Sequence, residues 1–121
     1  MARVLIIDDS PTETYKLTSM LEKNGHVVMT ADNGEAGIVM AQKELPDVVL
    51  MDVKMPGIGG LEATRKLLRS HQDMKVLAVT ACEDDPFPTW LLQAGAAGYL
   101  TKGAALEEMV QAIRMVFAGQ R

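Results

Sequence analysis

Five short apolar runs alternate with segments of helical periodicity, and this alternation constrains the fold of the chain more than any other feature. The runs cover residues 4–7, 27–31, 48–51, 76–79 and 97–100. Strands that alternate with helices are typical of βα units built around a parallel sheet. Three of the five runs consist almost entirely of β-branched residues and leucine, which predicts central strands covered by helices on both faces.

Between these runs, apolar residues recur at the spacing of one helix face. The predicted faces are Leu17, Met20 and Leu21; Ala36, Val39 and Met40; Leu61, Thr64 and Leu68; and Phe87, Trp90, Leu91 and Ala94. The last helix has Leu106, Met109, Val110, Ile113, Val116 and Phe117 on one side and Glu107, Glu108, Gln111 and Arg114 on the other. Ser10 and Pro11 mark the start of the first helix, and Asn24-Gly25 mark its end.

A (βα)5 chain of 121 residues is too short for an eight-stranded barrel. The pattern therefore predicts an open, doubly wound α/β sandwich of the flavodoxin-like kind, with a parallel five-stranded sheet in the order 2-1-3-4-5. No repeat or linker interrupts the pattern, so residues 1–121 are predicted to form a single domain with no output domain.

Composition argues against several classes of protein. The net charge of −4 disfavours direct contact with nucleic acid, which requires a basic surface. No apolar run approaches the roughly 18 residues of a membrane span, and the N-terminal segment is too short for a signal peptide. The sequence thus predicts a cytoplasmic protein without membrane contact. Its single cysteine, Cys82, cannot form an internal disulfide, and no Cys/His cluster has zinc-site spacing.

Polar side chains follow four of the predicted strands, at the edge where ligand sites of such sheets form. Asp8 and Asp9 follow the first strand, Asp52 ends the third, Thr80 follows the fourth and Lys102 follows the fifth. Three carboxylates at one edge repel one another, so a bound cation is the simplest way to keep them ionised. Because all the ligands are oxygen atoms, the expected ion is Mg²⁺ (or Mn²⁺).

A carboxylate beside such a metal can act as a nucleophile and form an aspartyl phosphate. Lys102 would supply a positive charge and Thr80 a hydroxyl donor for the phosphoryl oxygens. Taken singly, these residues are more often helix caps or ordinary strand ends, and only their joint placement indicates a site. His26 and His71 lie away from this edge and are predicted to be surface residues.

Four motifs together resemble the CheY-type receiver domains of two-component response regulators. They are the Asp8-Asp9 pair, Met51-Asp52 followed by Met55-Pro56-Gly57, Val79-Thr80-Ala81, and Leu100-Thr101-Lys102. The resemblance spans the whole chain. It implies that Asp52 accepts the phosphoryl group, that Asp9 and Asp52 bind the metal with the backbone carbonyl of Lys54, and that Asp8 acts largely through water.

The same resemblance implies a switch rather than an enzyme, one that catalyses only its own phosphoryl uptake and autodephosphorylation. The donor would be the phosphohistidine of a sensor histidine kinase or a phosphotransfer protein. Thr80 would sense the phosphoryl group, Lys102 would pair with it, and Tyr99 would swing inward. The surface of the predicted helix over 87–94, the fifth strand and the last helix would then change its affinity for a protein partner or for a second copy.

Two finer resemblances differ along the chain. Residues up to about 44 resemble PilH-type stand-alone receivers, whereas residues from about 46 onward resemble the GacA receiver of the NarL/FixJ group. The hypothesis that follows is a chimera or a designed recombinant. One departure from many receivers is Gly103, which stands after Lys102 where they have proline, so a cis peptide is not expected there.

Two other function classes compete with the switch. A phosphatase of the haloacid-dehalogenase kind also uses a strand-end aspartate and magnesium, but it places a second aspartate two residues later, where this chain has Lys54. A flavodoxin-like cofactor binder would need glycines or hydroxyls in the first loop. This chain has Asp8-Asp9-Ser10 there, and the carboxylates would repel a flavin phosphate.

Overall fold

The computed structural model describes residues 2–53, 59–80, 92–101 and 106–118, without the side chains of 106, 107 and 109. The strands are β1 (Arg3–Ile7), β2 (Val27–Ala31), β3 (Val48–Asp52), β4 (Lys75–Thr80) and β5 (Gly98–Thr101). The helices are α1 (Pro11–Lys23), α2 (Gly34–Glu44), α3 (Gly59–Ser70) and α4 (Leu106–Phe117). All five predicted strands are confirmed to within one residue at each end. The predicted helix over 87–94 lies largely outside the described residues.

All strand pairs in the sheet are parallel, and the strand order is β2-β1-β3-β4-β5, as predicted. The three central strands are β1, β3 and β4, and every residue of β3 is buried. β2 lies at one edge and is partly exposed, because only one of its sides pairs with a neighbour. The apolar runs with the most β-branched residues and leucine therefore occupy the middle of the sheet, where helices cover both faces.

Alternate residues of the central strands contribute to two separate hydrophobic layers. Val4 and Ile6 belong to one layer, and Leu5 and Ile7 belong to the other. The first layer includes Leu17 and Leu21 of α1 and Val110, Ile113 and Val116 of α4. The second includes Ala41 of α2 and Ala63, Leu67 and Leu68 of α3. Since burial of one such aliphatic side chain contributes about 1.5–3 kcal/mol, these two layers dominate the stability of the sandwich.

The predicted apolar face of α2 is only partly correct, because Met40 packs against the second layer but Ala36 and Val39 are exposed. Val39 is 64% exposed, and the residues that α2 buries are small ones, Gly34, Gly37 and Ala41. A Cβ atom at Gly37 would lie 2.5 Å from Ile7 Cδ1, so α2 approaches β1 too closely for a larger side chain. Phe117 of α4 was also expected to be buried but is 44% exposed.

The limits of α1 agree with the sequence. Ser10 is the N-cap, with its hydroxyl accepting the Glu13 N–H at 3.4 Å, and Pro11 follows in the first turn. Beyond the helix, Gly25 adopts φ +84°, the left-handed conformation that favours glycine. With 13 residues, α1 is the longest helix in the described ranges. No helix in those ranges is both long and apolar enough to cross a membrane.

Candidate functional site

Three aspartates meet at the carboxyl ends of β1 and β3. Asp8, Asp9 and Asp52 each offer a carboxylate oxygen, and these atoms all lie within 4.8 Å of one another. The cause is the sheet register, because Ile7 pairs with Met51 and the residues that follow therefore emerge side by side. Asp8 and Asp52 are 5% and 3% exposed, and Asp9 is exposed. The predicted convergence of the three carboxylates is thus present.

The loop between β1 and α1 holds Asp8 through its backbone and its side chain. The Asp8 N–H donates to the Ala31 carbonyl at 3.1 Å, which ties the residue to the end of β2. Its carboxylate accepts the Ser10 N–H at 2.8 Å, a short turn that aspartate side chains commonly form. The sequence predicted Ser10 as a helix cap but not its role in orienting Asp8. An aspartate two residues before a non-proline residue is the signal that could have indicated it, because the donor is a backbone N–H.

Thr80 reaches the same edge from β4. Asp52 pairs with Val79 in the register between β3 and β4, so Thr80 is the next residue along the neighbouring strand. Thr80 is 1% exposed and pairs with Thr101 of β5. A hydroxyl therefore stands beside the strand that carries Asp52, as the sequence predicts. Lys54 and Lys102 lie outside the described residues, and their roles stay predictions.

Tyr99 lies in β5, the edge strand farthest from β2. It pairs with Ala78 of β4 and is 47% exposed. In this structure its side chain is therefore partly on the surface. Its predicted inward movement on activation stays a prediction.

The chemistry of the acidic cluster fits a divalent cation. Carboxylate oxygens are the ligands that Mg²⁺ prefers, and a cation would offset the repulsion among three negative groups. A groove of about 710 Å³, lined by Asp8, Asp9 and residues of α1, β2 and α2, opens beside the cluster. The cluster can therefore hold a divalent cation, and its Asp8 and Asp9 side borders a groove that is open to solvent.

His26 contradicts the sequence prediction that it lies on the surface. It is 8% exposed, its Nδ1 accepts the Ala2 N–H at 3.0 Å, and its Nε2 is buried with no hydrogen-bond partner among the residues that the structure describes. Burial lowers the pKa of the His26 imidazole, and the charges of the N-terminus and Arg114 act in the same direction. The turn at Gly25 places His26 just before β2, at the amino edge of the sheet, far from the aspartates.

The comparison with protein families agrees with this geometry. The family described as the response regulator receiver domain matches residues 4–114. The chain belongs to this family. Its members are signalling proteins of two-component systems, and a phosphorylation-based switch is their general function. Phosphoaspartate and Mg²⁺ are typical of them. Membership favours the switch over the phosphatase and flavin-binding alternatives.

Two relatives and one solved structure illustrate the similarity. Response regulator GacA of Pseudomonas viridiflava is 68% identical over 123 aligned positions, which cover 100% of this chain and 58% of that protein. Protein PilH of Pseudomonas aeruginosa is 48% identical, over 98% of this chain and 100% of PilH. A LuxR-family two-component response regulator from Aurantimonas sp. SI85-9A1 has a TM-score of 0.94 and 32% identity, and the match covers 100% of this chain and 88% of that one.

The receiver therefore resembles both GacA and PilH, as the sequence motifs indicate. The chain spans a little over half the length of GacA. Both alignments run along nearly the whole chain rather than along one half. The idea of a recombinant origin stays a hypothesis.

Proposed function

We propose that the receiver accepts a phosphoryl group on Asp52 and thereby switches its affinity for a partner. The observation that carries the proposal is the convergence of Asp8, Asp9, Asp52 and Thr80 at one edge of the sheet in a chain of the receiver family. Asp52 is the best candidate for the nucleophile because it ends a fully buried strand with two further carboxylates beside it. A rigid strand holds a reactive oxygen in position better than a loop does.

Asp9 and Asp52, together with the backbone carbonyl of Lys54, would hold Mg²⁺ (or Mn²⁺), and Asp8 would act mainly through water. The oxygen ligands of the aspartate cluster and its local excess of negative charge support this assignment. When bound, the cation neutralises the negative charge of the phosphoryl oxygens and of the carboxylates. The Ser10 N–H, which donates to the Asp8 carboxylate, would keep that carboxylate oriented toward the cation.

In the phosphoryl transfer, a carboxylate oxygen of Asp52 attacks the phosphorus of a phosphohistidine on a histidine kinase or phosphotransfer protein. The bond between phosphorus and the imidazole nitrogen breaks, and the imidazole leaves with the electron pair and is protonated by solvent. Lys102 and the Thr80 hydroxyl would contact the phosphoryl oxygens as the charge redistributes. Hydrolysis by water would later return Asp52 to the free carboxylate, which is the expected autodephosphorylation.

The change in partner affinity would arise at the β4-β5 end of the sheet, opposite the end that carries β2. Thr80 pairs with Thr101, and Tyr99 lies two residues earlier in β5, so a shift of Thr80 toward a phosphoryl group is coupled to the strand that carries Tyr99. The affected surface would include β5, α4 and the predicted helix over 87–94. It would bind a protein partner or a second copy. A single domain over 1–121, no direct contact with nucleic acid and a cytoplasmic location remain the expectations from the sequence.

Intact-mass measurement after incubation with acetyl phosphate tests the proposal. The wild-type protein should gain the mass of one phosphoryl group in the presence of Mg²⁺ and none after chelation. Asp52→Asn should gain none under either condition. Asp73→Asn is the matched control, because it changes an exposed aspartate in the loop before β4 and leaves the cluster intact. It should behave as the wild type does.

Two results would contradict the proposal. One is a folded wild-type protein that gains no phosphoryl mass with Mg²⁺ present. The other is an equal gain in Asp52→Asn, which would move the acceptor to another residue. After removal of acetyl phosphate, loss of the added mass from the wild type would measure the autodephosphorylation.

A further inference from the structure

We infer that Gly60 is a positioning residue for Asp52, because it allows the start of α3 to rest directly against the backbone that carries the acceptor carboxylate. Gly60 is buried and is the second residue of α3. Its N–H donates to the Val53 carbonyl at 3.0 Å, so α3 and the end of β3 are joined at this point. The inference rests on the proposed role of Asp52 as phosphoacceptor.

The space at Gly60 leaves no room for a side chain. A Cβ atom there would overlap the Asp52 carbonyl oxygen and would lie 2.7 Å from Val53 Cα and 3.0 Å from the Asp52 carbonyl carbon. All three neighbours are backbone atoms, and none can rotate away as the end of a side chain could. Carbon atoms normally approach to about 3.5–4.0 Å, so one of the two segments must move by about 1 Å.

Neither segment can move easily. The Val53 N–H donates to the Val79 carbonyl at 3.0 Å, which holds the end of β3 against β4. On the other side, α3 is held by Ala63 and Leu67, both fully buried in the second hydrophobic layer. A methyl group at Gly60 would therefore push directly on the peptide of Asp52. A displacement of about 1 Å at a reacting group can cost about 100-fold in rate.

Gly59 provides a matched control in the preceding position. It has φ +75°, so alanine there is strained and should lower stability. A Cβ atom at Gly59, however, would have only the Val53 carbonyl oxygen within range, at 4.0 Å. Gly59→Ala therefore strains the backbone at the start of α3 without contacting Asp52, whereas Gly60→Ala introduces a methyl group that clashes with the Asp52 backbone.

The test compares the rate of phosphoryl uptake from acetyl phosphate for wild type, Gly59→Ala and Gly60→Ala, below the unfolding temperature of each. We expect Gly60→Ala to slow uptake by about 10- to 100-fold relative to Gly59→Ala at an equal folded fraction. Each variant is also made in a Leu45→Gly background, so that a destabilised variant has a second chance to fold. Leu45 is exposed with φ +47°, and glycine at this position should relieve the backbone strain and raise stability. Amide NMR spectra should show larger shifts of the Asp52 and Val53 signals in Gly60→Ala than in Gly59→Ala.

Equal uptake rates in the two variants would overturn the inference. So would a Gly60→Ala protein that fails to fold in both backgrounds, because the glycine would then serve folding rather than alignment. If the wild type itself takes up no phosphoryl group, the proposed function fails. In that case the amide spectra alone decide whether Gly60 sets the position of the Asp52 backbone. Asp52 and Val53 signals that do not shift in Gly60→Ala would reject the inference.

Discussion

At the amino edge of the sheet Arg3 is surrounded by acceptors, whereas at the carboxyl edge three carboxylates lie together. The Arg3 guanidinium donates to the Glu44 carbonyl at 2.7 Å and lies 3.5 Å from the Glu44 carboxylate. The Arg3 N–H donates to the Asp47 carboxylate at 2.8 Å, and the Asp47 N–H donates to the Arg3 carbonyl at 2.8 Å. At the other edge, the oxygens of Asp8, Asp9 and Asp52 lie within 4.8 Å of one another.

The charges at the amino edge stabilise the fold, whereas the charges at the carboxyl edge serve the proposed reaction. An acid paired with a donor lowers the free energy of the folded state, so its removal should cost stability. Like charges brought together raise that free energy, so the removal of one should stabilise the protein while harming the chemistry. Substitutions at the two edges should therefore have opposite effects on stability, and only those at the carboxyl edge should alter phosphorylation.

The largest expected effect is that of Asp9→Asn at the carboxyl edge. Loss of one proposed metal ligand should slow Mg²⁺-dependent uptake from acetyl phosphate by about 100-fold or more. In metal-free buffer the same variant should unfold at a higher temperature than the wild type, because one of three like charges is gone. Intact mass against time and thermal unfolding with a chelator measure the two effects. A variant that is less stable than wild type without metal would contradict the comparison.

At the amino edge, Asp47→Ala should lower the stability of the protein and leave its phosphoryl uptake unchanged. It removes the acceptor of the Arg3 N–H, and loss of a hydrogen bond to a charged group at this partly buried position should cost about 1.5–3 kcal/mol. Urea unfolding measures the loss, and uptake per folded molecule should match the wild type. Asp73→Ala is the control, because an exposed aspartate should change stability by less than about 0.5 kcal/mol. Impaired phosphorylation in Asp47→Ala would show that the edges are not independent.

A smaller effect at the amino edge should depend on pH through His26. Burial lowers the pKa of this imidazole below its ordinary value of 6.5, so the folded state favours the neutral ring. The contribution of His26 to stability is therefore present above pH 6.5 and is lost as the pH falls from there through the lower pKa of the folded state. Protonation at Nδ1 would also remove the acceptor of the Ala2 N–H.

Urea unfolding at pH 8 and at about pH 5.5 measures this dependence. His26→Gln cannot titrate in this range, so it should lose less stability than the wild type on acidification. His71→Gln is the control and should retain the wild-type dependence, since His71 is partly exposed. Equal pH dependence in wild type and His26→Gln would exclude His26 as the source.

The prediction of the acidic cluster succeeded because it depended only on topology. In a parallel sheet the carboxyl ends of all strands lie on one edge, so the order of the strands was enough to bring Asp8, Asp9 and Asp52 together. The predicted face of α2 was wrong at Val39 for a different reason. Periodicity favoured large apolar residues such as Val39, but the short distance between α2 and β1 selects Gly37, and that distance is not encoded locally.

The sequence by itself determined the strands, the central part of the sheet, the limits of α1 and the edge that carries the candidate site. These features depend on the spacing and type of residues close together in the chain. Only the tertiary structure decided the burial of His26, the hold of Ser10 on Asp8 and the contact of Gly60 with the backbone of Asp52. Each of these depends on a distance or orientation of a few ångströms, which packing sets after the strands and helices have formed.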